Sequence, residues 1–220
     1  MTDPLHRWLA QLATPQVEVA AVLGALSAPS MVLHHFALLC AQRALLRRQA
    51  VHKARPPMAP AAPPFWEALE AKRAWLEGVL GDNVLDQARH TARLISDLEG
   101  RKTYLDDDGW DLVRSGVVEV ADLEAACKAA ARGPGAAVAL AVHDRALRWA
   151  AWLATGLERE ERAHATPEAR DRFNAAWTQE EAWQRYALRE LGRVRQVTER
   201  LELIHVRPWC LPGEPIVVAP

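Results

Sequence analysis

Cysteine is scarce in this chain, and its three residues, Cys40, Cys127 and Cys210, follow no motif. Their number is odd, no CxxC joins them and no Cys/His spacing links them. Neither a disulfide framework nor a structural zinc site is expected. Cys40 and Cys127 stand in apolar helical surroundings, where they read as small core residues rather than nucleophiles. An excess of charge of one sign is lacking too: 27 Lys and Arg stand against 28 Asp and Glu, a formal net charge of -1. The chain therefore sets up no global field for nucleic acid or for an acidic membrane. No apolar run approaches the ~18 residues that a bilayer demands. The opening MTDPLHRWLA has none of the positive start, apolar core or cleavage site of a signal peptide. A reducing, cytoplasmic setting is the expectation, with no membrane partner. Strand signals are weak throughout. The nucleophile elbow, the glycine-rich phosphate loop and Cys/His catalytic motifs are all missing. Nucleophilic catalysis is not expected, and neither is a cofactor.

The residues that are present point to helix. Half of the 220 residues are hydrophobic and a quarter are charged, a globular composition. That length suits one domain. Alanine, leucine, arginine and glutamate are good helix formers. Nine tryptophans outnumber three phenylalanines and two tyrosines, so large rings are expected to fill the gaps between alanine-rich helices. The fold class expected is all-α, a bundle of about seven to nine helices in one domain over residues 1–220. Within it, a helical hairpin is read over 1–53, a proline-rich connector over 54–64, the main bundle over 65–206 and an irregular tail over 207–220.

Proline and glycine set the element boundaries. Asp3-Pro4 and Thr14-Pro15 each read as an N-cap followed by proline at the first helical position. They predict helices near 3–12 and 15–26, before a long apolar helix near 30–52. ARPPMAPAAPP (54–64) reads as an extended connector. Further helices are predicted at about 65–78, 82–99, 120–132 and 136–164, with Asp82 as an N-cap and Gly100 as a stop. Residues 101–118, the region of TYLDDDGWDLVRSGVVEV, read as the least helical stretch. The longest helix opens at Thr166-Pro167 and is read to about 206, with Trp183, Ala187, Leu191, Val194, Val197, Leu201 and Ile204 as its buried stripe. Trp209 is read as the anchor of the tail.

Three groups of residues could carry chemistry. The first is in HHFALLCAQRALLRR (34–48). Adjacent histidines leave a helix 100° apart, so His34 and His35 do not share a metal easily. His35, beside Phe36 and Leu39, reads as a semi-buried, hydrogen-bonded structural histidine. The arginines of the same stretch belong to an asymmetry: from Val19 to Trp66 there is no acidic residue, while Arg43, Arg47, Arg48, Lys53 and Arg55 are all basic. Such an edge can contact phosphate, pair with acidic helices or simply be solvated. It has no interleaved aromatics, so nucleic acid is not the expected partner. The second group is the opposing acidic cluster of Asp106, Asp107, Asp108 and Asp111. It lacks the alternating ligands and twelfth-position glutamate of a calcium loop and reads as a solvated turn. The third is a pair of Glu-x-x-His motifs, Glu161–His164 and Glu202–His205. Residues three apart share a helical face, and ferritin-like di-metal bundles use two such motifs with further glutamates. Glu67, Glu70 or Glu18 would have to supply those. Glu161 sits in EREERAH, however, which reads as a solvated helix end.

His35-Phe-Ala-Leu-Leu-Cys-Ala-Gln-Arg-Ala-Leu45, a proline-bearing connector and Ala68-Leu-Glu-Ala-Lys-Arg-Ala-Trp-Leu-Glu-Gly78 together resemble the small helical immunity proteins of bacterial polymorphic toxin systems. The later AAWTQEEAWQRYALREL (175–191) is similar in texture to their C-terminal helix. The resemblance implies stoichiometric binding of a cognate toxin without catalysis, with surface charge as the recognising element. Asp106, Asp107, Asp108 and Asp111 would then mask a basic toxin active site. Arg43, Arg47 and Arg48 stand beside them as candidate binding residues. The reading drawn from the sequence is a non-catalytic protein-binding module. A structural or adaptor subunit of a larger bacterial assembly, and a di-metal enzyme built on Glu161, His164, Glu202 and His205, are its alternatives.

Overall fold

Residues 32–41 are buried without exception, ten in a row, which places that helix at the centre of its neighbours rather than on a surface. The computed structural model describes residues 4–14, 17–25, 30–54, 62–102, 120–156 and 161–197. Among them are eight α-helices and no strand: α1 (Pro4–Ala13), α2 (Val19–Leu23), α3 (Ser30–Ala54), α4 (Pro63–Leu76), α5 (Asp82–Lys102), α6 (Ala121–Ala129), α7 (Gly135–Thr155) and α8 (Pro167–Val197). A short 3-10 turn, Glu161–His164, precedes α8. The chain is an all-α bundle. No helix among the described residues is long and apolar enough to cross a membrane.

α3 packs against α6, α7, α8 and α4, and α7 in turn packs against α6 and α8. Trp8, Trp149 and Trp183 are fully buried with Phe36, Phe65 and Phe173. These rings fill space that alanine side chains leave open, as the composition predicts. The two N-terminal helices lie against this core. The Trp8 Nε1–H donates to the Val22 carbonyl at 3.0 Å and ties α1 to α2. Arg185 of α8 donates to the carbonyls of Leu12, Thr14 and Val17.

Several boundaries differ from those read in the sequence, each for a local reason. Thr14 does not cap α2: its hydroxyl donates back to the Ala10 carbonyl of α1, and α2 is five residues starting at Val19. α4 takes Pro63 and Pro64 into its first turn, where the missing N–H costs nothing. α3 runs on to Ala54, so the connector is shorter at both ends than 54–64. Gly81, not Asp82, supplies the carbonyl that starts α5, accepting from Val84 and Leu85. α5 continues through Gly100 to Lys102. α7 stops at Thr155, well short of His164, because Gly156 adopts the left-handed conformation (φ 70°). Thr166 does cap α8, its hydroxyl oxygen accepting from the Ala169 N–H at 3.3 Å. Trp183, Ala187 and Leu191 of the expected α8 stripe are buried. Trp209, Cys210 and the rest of the tail lie outside the described residues.

Candidate functional site

The arginines of α3 face inward. Glu180 of α8 is fully buried, and one of its carboxylate oxygens accepts from Arg43 Nε at 2.9 Å while lying 2.7 Å from an Arg47 nitrogen. The Arg43 guanidinium lies 4.5 Å from the centroid of the Trp183 ring. One turn on, Arg48 grips Asp122 of α6 with two hydrogen bonds, one of them 2.8 Å from Nη2 to Oδ1. Its guanidinium lies 5.2 Å from the centroid of the Trp149 ring, and Trp149 donates to the Ala44 carbonyl. Fork-shaped pairing over an aromatic face is what guanidinium chemistry does well in a dry setting. Of the roles open to this edge, the geometry shows pairing with acidic helices. Arg43 and Arg48 are buried, so neither lines a surface open to phosphate. Burial pushes the Asp122 carboxyl up to about 6, against the pull of Arg48. A further buried pair, His143 Nδ1 and Gln184 Oε1 at 2.6 Å, joins α7 to α8.

A second cluster lies where the first turns of α3 meet the end of α4. Lys72 is fully buried and donates to the Ala131 carbonyl at 2.7 Å, just past the end of α6. Arg89 of α5 donates to the Cys127 carbonyl in the last turn of α6. Two cations thus meet the carbonyl-rich end of one helix, which its dipole favours. Lys72 Nζ also lies 4.0 Å from the centroid of the Trp75 ring. Trp75 donates to Asp82, and Asp82 and Asp86 together hold Arg132. Burial, with Arg132 and Arg89 nearby, pulls the Lys72 amine down to about 8. His34 and His35 complete this region. Both are 4 % exposed, which makes His35 more buried than the sequence suggests, and the Nδ1 atom of each has no hydrogen-bond partner. The hydrogen bond expected at His35 is therefore not made through Nδ1.

The remaining candidates are dispersed. Glu161–His164 forms the 3-10 turn, not part of a long helix, and His164 is exposed. Glu18, Glu67 and Glu70 are exposed on α4 and ahead of α2. Glu202 and His205 lie outside the described residues, as do Asp106, Asp107, Asp108 and Asp111. Among the described residues no group of three His, Cys, Asp or Glu is placed to hold a metal. Cys40 and Cys127 are buried. Burial pushes the Cys40 thiol well up and the Cys127 thiol to about 11, so neither offers a thiolate at neutral pH.

One surface feature was not singled out in the sequence. α5 packs on α4 and α6, and its opposite face carries Val84, Gln87, Thr91, Leu94 and Leu98, spaced three and four apart and all exposed. Val84, Leu94 and Leu98 are 49 %, 50 % and 57 % exposed, and Val79 in the turn before α5 is 72 % exposed. Leu85, Ala92 and Ser96 form the buried face. The signal was there: α5 has apolar residues on two opposed faces, and only one can meet its own core. Searches with the models of known families, the curated proteins and the solved structures find no match to this chain.

Proposed function

We propose that the chain is a non-catalytic protein-binding module of the immunity-protein kind, which binds and neutralises a cognate toxin. The observation that carries the binding reading is the outer face of α5: Leu94, Leu98 and Val84 lie exposed along one stripe of a helix whose inner face is already packed. An apolar stripe of this sort is what a partner helix or groove covers. Support also comes from the interior. The buried carboxylates Glu180 and Asp122 are held by α3 arginines, and the two described thiols are kept protonated. These groups hold helices together and leave no reactive nucleophile among themselves. The toxin assignment rests on the resemblance over 35–45 and 68–78. The first of these stretches is core-facing, so it speaks for the framework and leaves recognition to outward faces such as that of α5.

Recovery of the tagged chain from its source cells, with metal assayed on the same sample, tests this reading. A single stoichiometric protein carrying a toxin domain is expected. A stoichiometric partner without one makes the chain an adaptor subunit. Near-stoichiometric iron or manganese with no protein partner contradicts the proposal and redirects attention to Glu161, His164, Glu202 and His205.

A further inference from the structure

The seam between α3 and α4 is built from nitrogen bases. His34 and His35 leave α3 on different sides, and both are buried because the helix is covered all round there. The Trp75 ring meets His34 edge-on, with ring centroids 6.0 Å apart, and carries the Lys72 amine on its face. Nδ1 of His34, Nδ1 of His35 and Nε of Arg73 are all buried without a hydrogen-bond partner. The charged groups acting on His34 are Lys72 and His35, and those acting on His35 are Arg73 and Lys72. α6, α7 and α8 also pack on α3. Their buried carboxylates and imidazole are engaged elsewhere, Asp122 with Arg48, Glu180 with Arg43 and Arg47, His143 with Gln184, and burial keeps the Cys127 thiol of α6 protonated. From α5, Arg89 reaches α6, while Asp82 and Asp86 hold Arg132.

We propose that this seam is an acid-released latch, in which protonation of His34 and His35 frees the α4–α5 hairpin from the bundle while α3, α7 and α8 stay packed. A proton on either ring creates a buried cation beside Lys72 or Arg73, with no carboxylate acting on it. Opening hydrates the rings and moves the α4 cations away. Burial and those cations hold both rings near pKa 4 when closed, whereas exposed imidazoles titrate near 6.5. The open form therefore binds up to two more protons than the closed form between those values. Its population rises as pH falls through that window. Each proton contributes up to roughly tenfold per pH unit to the opening constant, so two give up to roughly a hundredfold. The inference stands independently of the protein-binding reading. If both hold, acid also loosens the helix that carries Leu94 and Leu98.

Native-state hydrogen exchange of the full chain at pH 7, 6 and 5, corrected for intrinsic rates, reads the opening constant of α4 directly. In the wild type it is expected to climb by well over tenfold per pH unit below 6.5, ahead of α3, α7 and α8. In H34Q/H35Q the climb should vanish. An α4 opening constant that does not change with pH, an equal slope in the variant, or release of α3 and α7 together with α4 overturns the proposal. Should the double variant fail to fold, titration of the two imidazole rings by NMR in the wild type decides. Rings that stay neutral well below pH 6.5 and protonate as α4 amides lose protection support the latch. A ring that titrates near 6.5 with α4 still protected sinks it.

Discussion

Arg43 shows how one side chain can be read correctly as basic while its partner stays illegible. Its charge is plain in the sequence, but the carboxylate that meets it, Glu180, is 137 residues away. Arg48 finds Asp122 at a separation of 74. The acid-free run from Val19 to Trp66 therefore reads as a basic edge that can pair, touch phosphate or be solvated until tertiary packing supplies the counter-charges. Breaking a buried pair from one side costs more than the pair contributes, since desolvation is not recovered. Glu180→Ala removes the carboxylate that Arg43 and Arg47 share. It is expected to lower stability by about 3 kcal/mol in urea denaturation. A loss below about 0.5 kcal/mol, the size of an ordinary surface change, would show that the pair is not held in a dry interior. His35 was misjudged differently. Adjacent positions on a helix point to different sides, and His35 reads from its neighbours as only semi-buried. That reading lapses when a helix is central and every face is buried.

Many helix ends fall at proline or glycine, which is why most elements were legible, although α2 starts at Val19 rather than Pro15 and α5 runs through Gly100. Pro63-Pro64 and Gly156 mark ends that the sequence pattern places elsewhere. Proline can begin a helix as readily as prevent one, and a glycine near a good helical pattern can end it if the chain must turn there. The expected helix from 136 to 164 was long only because its alanine-rich pattern masked Gly156. Gly135 has a different role. A Cβ built on it lies 2.6 Å from the Ser30 carbonyl oxygen and 2.8 Å from its hydroxyl, so the start of α7 fits against the start of α3 only without a side chain. Gly135→Ala is expected to destabilise by about 1–3 kcal/mol, because backbone atoms must shift. An unchanged denaturation midpoint would mean that the two helix starts are not packed this closely. α5 was legible as a helix but not as a surface. Its second apolar face needs knowledge of which side the bundle covers, and composition does not carry that.

At the scale of the molecule, opposing ionisations shape the response to acid. Unfolding takes up protons at His34 and His35 between about pH 6.5 and 4, because their folded values are depressed. Stability from these groups therefore falls as pH drops through that range. Asp122 acts in the opposite sense: its folded value is raised to about 6, so below that pH the folded state holds the extra proton. From these three groups, global stability should fall across the whole range, most steeply between about pH 6 and 5 and more gently towards 4. Thermal melts across that range check it, and a melting temperature that rises on acidification would contradict the assignment. The fold class, the helical order and the buried tryptophans could all be read from one sequence. The ion pairs could not, since they depend on long-range juxtaposition; α5 shows its two apolar faces in the sequence, but not which of them the bundle covers.

The central claim is that the outer face of α5 binds another protein, and one comparison addresses it most directly. Wild type, L94D/L98D and an exposed control, E67Q/E70Q, are recovered in parallel from the source cells, with stability and partner yield measured on each. Leu94 and Leu98 are exposed, so the first variant should keep its stability to within about 0.5 kcal/mol. The account predicts that the stoichiometric partner is lost from L94D/L98D and retained by the wild type and by E67Q/E70Q. Equal partner recovery by all three proteins would contradict it.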